Sequence, residues 1–321
     1  FPRMPTILTL TPNPALDLSV RTAQVQAAHK LRCHSVLRHP GGGGINVARL
    51  LHRLGIDVQA HCLAGGVAGG QLAALLAQEG VLTWCQPIAG ETRENLAVLD
   101  DSDGQEFRFV MPGPQIDAQE WQACLDAVQS LDPAPQWLVA SGSLPPGVPD
   151  DFYARLARWA NGCGVAVAID SSGPALSQAL EVGVALVKPS LSELRALTGA
   201  ALSERHEAIA AAAALVQRGA AQTVALSLGG EGAVLVTPQG AWQAPALSVP
   251  AAQGTTGAGD CFLAALLAAL VRGDPPAQAL RWGVAAGTAS LLAPGTALAE
   301  PCQVLRLLDQ VQVTALAGPA P

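Results

Sequence analysis

The stretch "TTGAGDCFLAALLAAL", residues 255–270, places one carboxylate, Asp260, behind a turn of small residues and ahead of a long apolar run. The turn leaves the amides of Gly257, Ala258 and Gly259 free at a helix start, where unpaired N–H groups favour an anion. Phe262, Leu263, Leu266, Leu267 and Leu270 would root that helix in a core and hold the acid still. Asp260 then has two readings. It is an ordinary first-turn acid favoured by the helix dipole, or it is a general base beside an anion hole. In the second reading it takes a proton from an alcohol while the amides receive a transferred phosphoryl group. Cys261 reads as a buried small hydrophobe, since neither a CxxC pattern nor a nearby histidine would activate it.

Four further stretches carry candidate ligand groups. "PGGGGINVARLL" sets Gly41, Gly42, Gly43 and Gly44 before a helix with Asn46 in its first turn. Glycine lets main-chain amides approach a ligand closely, which favours ligand contact over a plain connector. The spacing is not the dinucleotide fingerprint, Pro40 interrupts a direct strand entry, and the lysine and hydroxyl of a P-loop are missing. "ASGSLPPGV" puts Ser141 and Ser143 at the carboxyl end of an apolar strand, the edge where ligands of open α/β sheets gather; taken alone, a proline-rich turn explains it better. "LVKPSLSEL" leaves a strand with Lys188, Ser190 and Glu193, and Glu193 is either a magnesium ligand, directly or through water, or a surface helix acid. "LSLGGEGAVL" joins two strands through Ser227, Gly229, Gly230 and Gly232, as a nucleotide-facing turn or as a simple hairpin.

The elements that must position these groups alternate along the chain. Apolar strand candidates such as "TILTLT", "DVQAHCLA", "QWLVASG", "GVAVAID" and "TVALSLG" are interleaved with helical patterns such as "INVARLLHRLG" and "DFYARLARWANG". That rhythm predicts an α/β fold with a mostly parallel sheet covered on both faces. "ALDLSV", "ETRENLAVLD" and "QEFRFVM" alternate polar and apolar residues, as in a sheet buried on one side and polar on the other. Residues 11–37 and 84–115 are therefore expected to form a small lid on a main domain of residues 1–10, 38–83 and 116–321.

Bulk properties exclude several classes. A formal charge of −7 over 321 residues argues against a nucleic-acid or anionic-membrane surface. No apolar run reaches a membrane span, and "FPRMPTILTL" has none of the marks of a secretory leader. The seven cysteines, at 33, 62, 85, 124, 163, 261 and 302, are an odd number with no close pairs, which disfavours a disulfide framework and a structural zinc site. A reducing cytoplasm is the expected setting.

Together, "GGGGINVAR", "TTGAGDCFLAALLAAL" and, between them, "TRENL", "SGSLPPG", "VKPSLSE" and "SLGGEG", with "NPALD" ahead of them, resemble the PfkB branch of the ribokinase-like sugar kinases over essentially the whole chain. The resemblance implies a three-layer α/β/α sandwich with a small β-sheet lid that pairs two subunits as a homodimer. It implies that Asp260 is the catalytic base and Gly257, Ala258 and Gly259 belong to the anion hole. Asp17, Gly41–Gly44 and Asn46 would hold sugar hydroxyls, with Ser141 and Ser143 nearby. Arg93, Lys30 and Arg108 would meet the substrate phosphate. ATP would lie against Lys188, Ser190, Ser227, Leu228, Gly229, Gly230, Glu231, Gly232, Val284 and Thr288, with Mg2+ at Glu193 and Ser190, and K+ near Gly254 and Thr256. Gly43 stands where the kinases of fructose 1-phosphate and tagatose 6-phosphate usually carry lysine, so the favoured reaction is phosphorylation of C1 of fructose 6-phosphate. Those two sugars are the rivals, as is a sugar-phosphate sensor without catalysis. Ser190 replaces the family's asparagine in an N-x-x-E motif, which predicts weaker handling of metal or ATP.

Overall fold

The computed structural model describes residues 6–249 and 256–316. Its first third runs β1 (Ile7–Thr11), β2 (Ala15–Thr22), β3 (Cys33–Gly41), α1 (Gly43–Arg53), β4 (Val58–Ala64), α2 (Gly66–Gln78), β5 (Leu82–Pro87), β6 (Arg93–Asp100) and β7 (Glu106–Phe109). There follow α3 (Ala118–Gln129), β8 (Trp137–Ser141), α4 (Phe152–Cys163), β9 (Ala166–Asp170), α5 (Gly173–Val182), β10 (Val184–Val187), α6 (Leu191–Thr198) and α7 (Arg205–Gln217). The last part holds β11 (Ala221–Ser227), β12 (Ala233–Thr237), β13 (Gly240–Ala244), α8 (Ala258–Val271), α9 (Pro276–Ser290), α10 (Pro301–Leu308) and β14 (Thr314–Ala315).

One large sheet has the order β14-β13-β12-β11-β10-β9-β8-β1-β4-β5. It is parallel from β5 to β11 and antiparallel from there to β14. Its central strands are apolar because they are buried twice over: Ile7, Val139, Ala168 and Leu186 face one helix layer, while Leu8, Leu138, Val167 and Val187 face the other. The first layer contains α1, α2, α8, α9 and α10, the second α3 to α7. The expected three-layer α/β/α arrangement is what forms.

α8 is buried from Cys261 through Ala269. Leu263, Leu266 and Leu267 have no exposed surface, and burial of each such side chain stabilises by about 1.5–3 kcal/mol. Gly283 of α9 gives the Phe262 ring room, since a Cβ there would sit 2.9 Å from the ring. The helix that carries Asp260 is thus a fixed strut.

The second sheet, in the order β3-β2-β6-β7, is the small one. Its limits differ from the expected ones: β5 pairs with β4 in the large sheet, and β3 continues through Pro40 to Gly41. Pro40 does not prevent strand entry into α1, because β3 is an edge strand whose missing N–H breaks no ladder. The expected division into one buried and one polar face does not form: β2 buries Leu16 and Val20 on one face and polar residues on the other, while β7 is exposed at Phe107, Arg108 and Phe109 alike. Asp17 and Ser19 are buried, whereas Val36, Leu37, Phe107, Phe109, Val110 and Met111 are exposed.

Candidate active site

Two cavities meet at the first turn of α8. The smaller, of about 190 Å³, lies between the small sheet and the body and is lined by Asp17, Gly42, Gly43, Asn46, Arg93, Asn95, Arg108, Thr256, Gly257 and Asp260, among others. The larger, of about 510 Å³, is lined by Ser227, Gly229, Gly230, Gly232, Ala258, Gly259, Phe262, Val284 and Thr288, among others. Four consecutive residues therefore divide two chambers, Gly257 and Asp260 facing one and Ala258 and Gly259 the other. Gly257 takes a left-handed conformation at φ 80° and no side chain among the described residues caps the helix, so the first-turn amides have no partner there.

Asp260 Oδ2 accepts a 2.9 Å hydrogen bond from Asn46 Nδ2. Burial pushes its carboxyl above the usual range, a shift opposed by Asn46 and Lys188 and reinforced by Asp17. A base must be unprotonated to act. If Asp260 is that base, kcat/KM should rise with pH through a midpoint above the ordinary value of 3.8. Asn46→Ala removes a donor that favours the carboxylate, so that acid limb should move to still higher pH in a full pH–rate profile.

Asp17 is held by Asn95, whose Nδ2 donates to Oδ1 at 3.0 Å, and burial raises its carboxyl pKa against the pull of Asn95, Arg93 and Arg108. Arg93 donates to the carbonyls of Met111 at 3.1 Å and Asn13 at 2.9 Å, while its buried Nε has no partner among the described residues. Arg108 stands exposed at the rim. Gly42 turns the chain at φ 114°, and a Cβ on Gly43 would strike Ser141 Oγ and approach Asp260. Gly41 abuts the Asp17 carboxylate and Gly44 packs on Thr11.

Not every expected group lines a chamber. Ser141 lies beneath Gly43, and Ser143 Oγ accepts from Asn13 Nδ2 at 3.2 Å. Lys30 is on the exposed loop after β2, outside the lining of the smaller cavity. Leu228 and Glu231 belong to the β11–β12 hairpin without lining the larger cavity, so that turn is both a hairpin and, through its glycines, a chamber wall. Gly254 and Thr255 lie outside the described residues. Thr256 lines the smaller cavity with a buried Oγ1 that has no partner among the described residues.

Ser190 and Glu193 form a capping box at the start of α6. Glu193 Oε2 accepts from the Ser190 amide at 2.7 Å, and Ser190 Oγ accepts from the Glu193 amide at 3.3 Å. Sequence reading of "SLSE" for metal overlooked this S-x-x-E signature of a helix start. It also missed Asp170, at the carboxyl end of β9. Lys188 Nζ lies 3.1 Å from Asp170 Oδ1, with both side chains nearly inaccessible. Burial raises the Asp170 carboxyl to about 6, against the pull of Lys188. Lys188 also backs Gly259, where a Cβ would come within 3.2 Å of Nζ. Among the described residues no three metal-binding side chains cluster. Magnesium carried by a triphosphate keeps several waters and takes only one or two carboxylates; Asp170 and Glu193 are two carboxylates close enough to act on Lys188, each with one oxygen already engaged, by Lys188 and by the Ser190 amide.

A chamber with a carboxylate, a larger glycine-walled chamber and helix amides between them are the parts that phosphoryl transfer to an alcohol requires. The chain belongs to the pfkB family of carbohydrate kinases, whose pattern matches residues 13–302. It is 41% identical over 305 residues to the ATP-dependent 6-phosphofructokinase isozyme 2 of Mycobacterium tuberculosis, covering 95% of this chain and 89% of that protein. A 1-phosphofructokinase of Bacillus subtilis is 32% identical over 312 residues, 97% of this chain and 100% of that one. The crystal structure of phosphofructokinase-2 from Escherichia coli in complex with potassium superposes with a TM-score of 0.90 at 38% identity, covering 96% of this chain and 99% of that chain.

Proposed function

We propose that this sugar-phosphate kinase transfers the γ-phosphoryl group of ATP to the C1 hydroxyl of fructose 6-phosphate, giving fructose 1,6-bisphosphate and ADP. The observation that carries the reading is the shared first turn of α8, with the acid on one side and two glycine-flanked amides on the other. Asp260 takes the C1 proton as the oxygen attacks the γ-phosphorus, the bond to the β-phosphate oxygen breaks, and ADP leaves. The amides of Ala258 and Gly259 receive the moving charge, and such preset donors contribute several kcal/mol to transfer. Lys188 adds a fixed positive charge behind them.

Asp17, Asn46 and Asn95 would take sugar hydroxyls, and Arg93 with Arg108 the phosphate at C6, because guanidinium groups match phosphate oxygens in pairs. Glu193 and Asp170 would hold magnesium with the triphosphate, where the bound ion would neutralise phosphate charge. A monovalent cation such as potassium would use the Thr256 side of the turn. Exposed apolar residues at the two edges of the small sheet, Val36 on β3 and Phe107 and Phe109 on β7, suit burial against a second copy, which supports a homodimer joined through the small sheets. No described helix is long and apolar enough to cross a membrane; a cytoplasmic setting is proposed on the seven cysteines, none in a disulfide.

A coupled ADP-release assay with fructose 6-phosphate, fructose 1-phosphate and tagatose 6-phosphate tests the reading. The highest kcat/KM is expected for fructose 6-phosphate. A clear preference for either other sugar replaces the substrate, and ligand-induced thermal stabilisation without ADP release replaces catalysis by sensing.

A further inference from the structure

Two cysteines that are distant in sequence meet in the large sheet. β4 and β5 pair in parallel with Cys62 directly opposite Cys85, and their sulfur atoms are 3.4 Å apart. β5 is the sheet's edge strand, so Cys85 is half-buried whereas Cys62 is fully enclosed. Neighbouring strands run about 4.8 Å apart, and a disulfide needs Cα atoms about 4.4–6.8 Å apart with sulfurs at about 2.05 Å. The spacing of paired strands falls within that range, so the distance left to close lies between the sulfurs.

We propose that Cys62 and Cys85 are an oxidation site, a dithiol that a hydroperoxide converts to an intramolecular disulfide. The Cys85 thiolate attacks one oxygen of hydrogen peroxide, the O–O bond breaks, and the departing hydroxide takes a proton to leave as water. Cys85 is then a sulfenic acid. The Cys62 thiol gives up its proton as its sulfur attacks Cys85, the S–O bond breaks, and a second water leaves. Two thiols are oxidised and one peroxide is reduced. The division of labour follows from position, because only Cys85 is open to a reagent at the sheet edge. Its contact with Cys62 also draws the Cys85 thiol below its usual pKa, and raises that of Cys62, which favours Cys85 as the attacking sulfur.

The same two strands lead toward the smaller cavity. Beyond β5, Thr92 Oγ1 accepts from the Gly65 amide at 3.0 Å and Glu91 Oε1 from the Ala68 amide at 2.7 Å, just before Arg93. The bond would therefore join strands whose carboxyl ends are already clasped beside that arginine.

The test uses the intact purified protein, reduced and then treated with hydrogen peroxide. No lysine or arginine lies between Arg53 and Arg93, so one tryptic peptide contains both cysteines, and cleavage at Glu79 separates them unless they are bonded. Expected are a Cys62–Cys85 link that survives cleavage at Glu79, a fall of two in titratable thiols, and reversal by dithiothreitol. Cys62→Ser should leave a Cys85 sulfenic acid that dimedone traps, and Cys85→Ser should leave Cys62 reduced. The proposal is overturned if wild-type Cys85 passes to sulfinic acid without the link. It is also overturned if exposed Cys33, Cys163 or Cys302 are consumed while Cys62 and Cys85 remain thiols.

Discussion

Asp260→Asn is expected to lower kcat by about 10²–10⁴-fold, the range a positioned general base contributes, while leaving KM for sugar and nucleotide close to wild type. The substitution keeps shape and volume, and the α8 core from Cys261 to Ala269 does not involve the carboxylate. What is lost is a proton acceptor on the wall of the smaller cavity. Coupled ADP release measures the rate, and thermal shifts with ATP and with fructose 6-phosphate measure binding. The acid limb of the pH profile should vanish with the carboxylate. Near-normal turnover would remove Asp260 from the chemistry and leave it a helix-start acid.

The second large effect is on stability. Arg49 of α1 is almost wholly enclosed, with 1% of its side chain exposed. It donates through Nε to both oxygens of Glu79 at 3.0 Å and through Nη2 at 2.6 Å. Its Nη1 reaches the Pro40 carbonyl at 2.9 Å and Asn46 Oδ1 at 3.3 Å. Glu79 is 23% exposed and keeps a second partner in Arg53 at 3.3 Å, so removing Arg49 leaves its charge partly compensated and costs less than the about 3–5 kcal/mol of a fully buried pair. Arg49→Met should lower the unfolding free energy by about 1–3 kcal/mol, read as a fall in the urea midpoint equal to that energy divided by an unchanged slope. Replacing both partners, Arg49→Met with Glu79→Leu, should recover much of the loss, because no charge is then left alone. A loss below about 1 kcal/mol for the single variant would show that the pair is inconsequential. Arg49 also acts at a distance from the chemistry: by occupying Asn46 Oδ1, it leaves Nδ2 to face Asp260.

The parts of this site that were legible in sequence are those written in consecutive residues. The turn and apolar run of α8 announce a helix start with an acid in its first turn, and the four glycines announce a tight approach before α1. The alternation in "ETRENL" correctly grouped Arg93 with Asn95, because strand periodicity is local. What stayed hidden depends on register and packing. Asn95 meets Asp17 across 78 positions, Lys188 meets Asp170 through adjacent strands, and Cys62 faces Cys85 only because β4 and β5 pair as they do. The exposure of the small sheet, enclosed on both faces at β2 and open on both at β7, has the same origin. Alternation tells which residues share a face, but not which face the body covers.

The two chambers draw on separate parts of the chain. Walls of the smaller cavity come largely from the small sheet and the glycine loop, whereas those of the larger come largely from the β11–β12 hairpin and α9, and among the described residues the two share no lining residue and abut along 257–260. With the proposed sugar phosphate in the first and nucleotide in the second, changes that retune which sugar is taken can accumulate without disturbing the nucleotide, and the reverse. One short peptide is the hinge of that independence, and it is where a lineage exploring new acceptors has least freedom to vary.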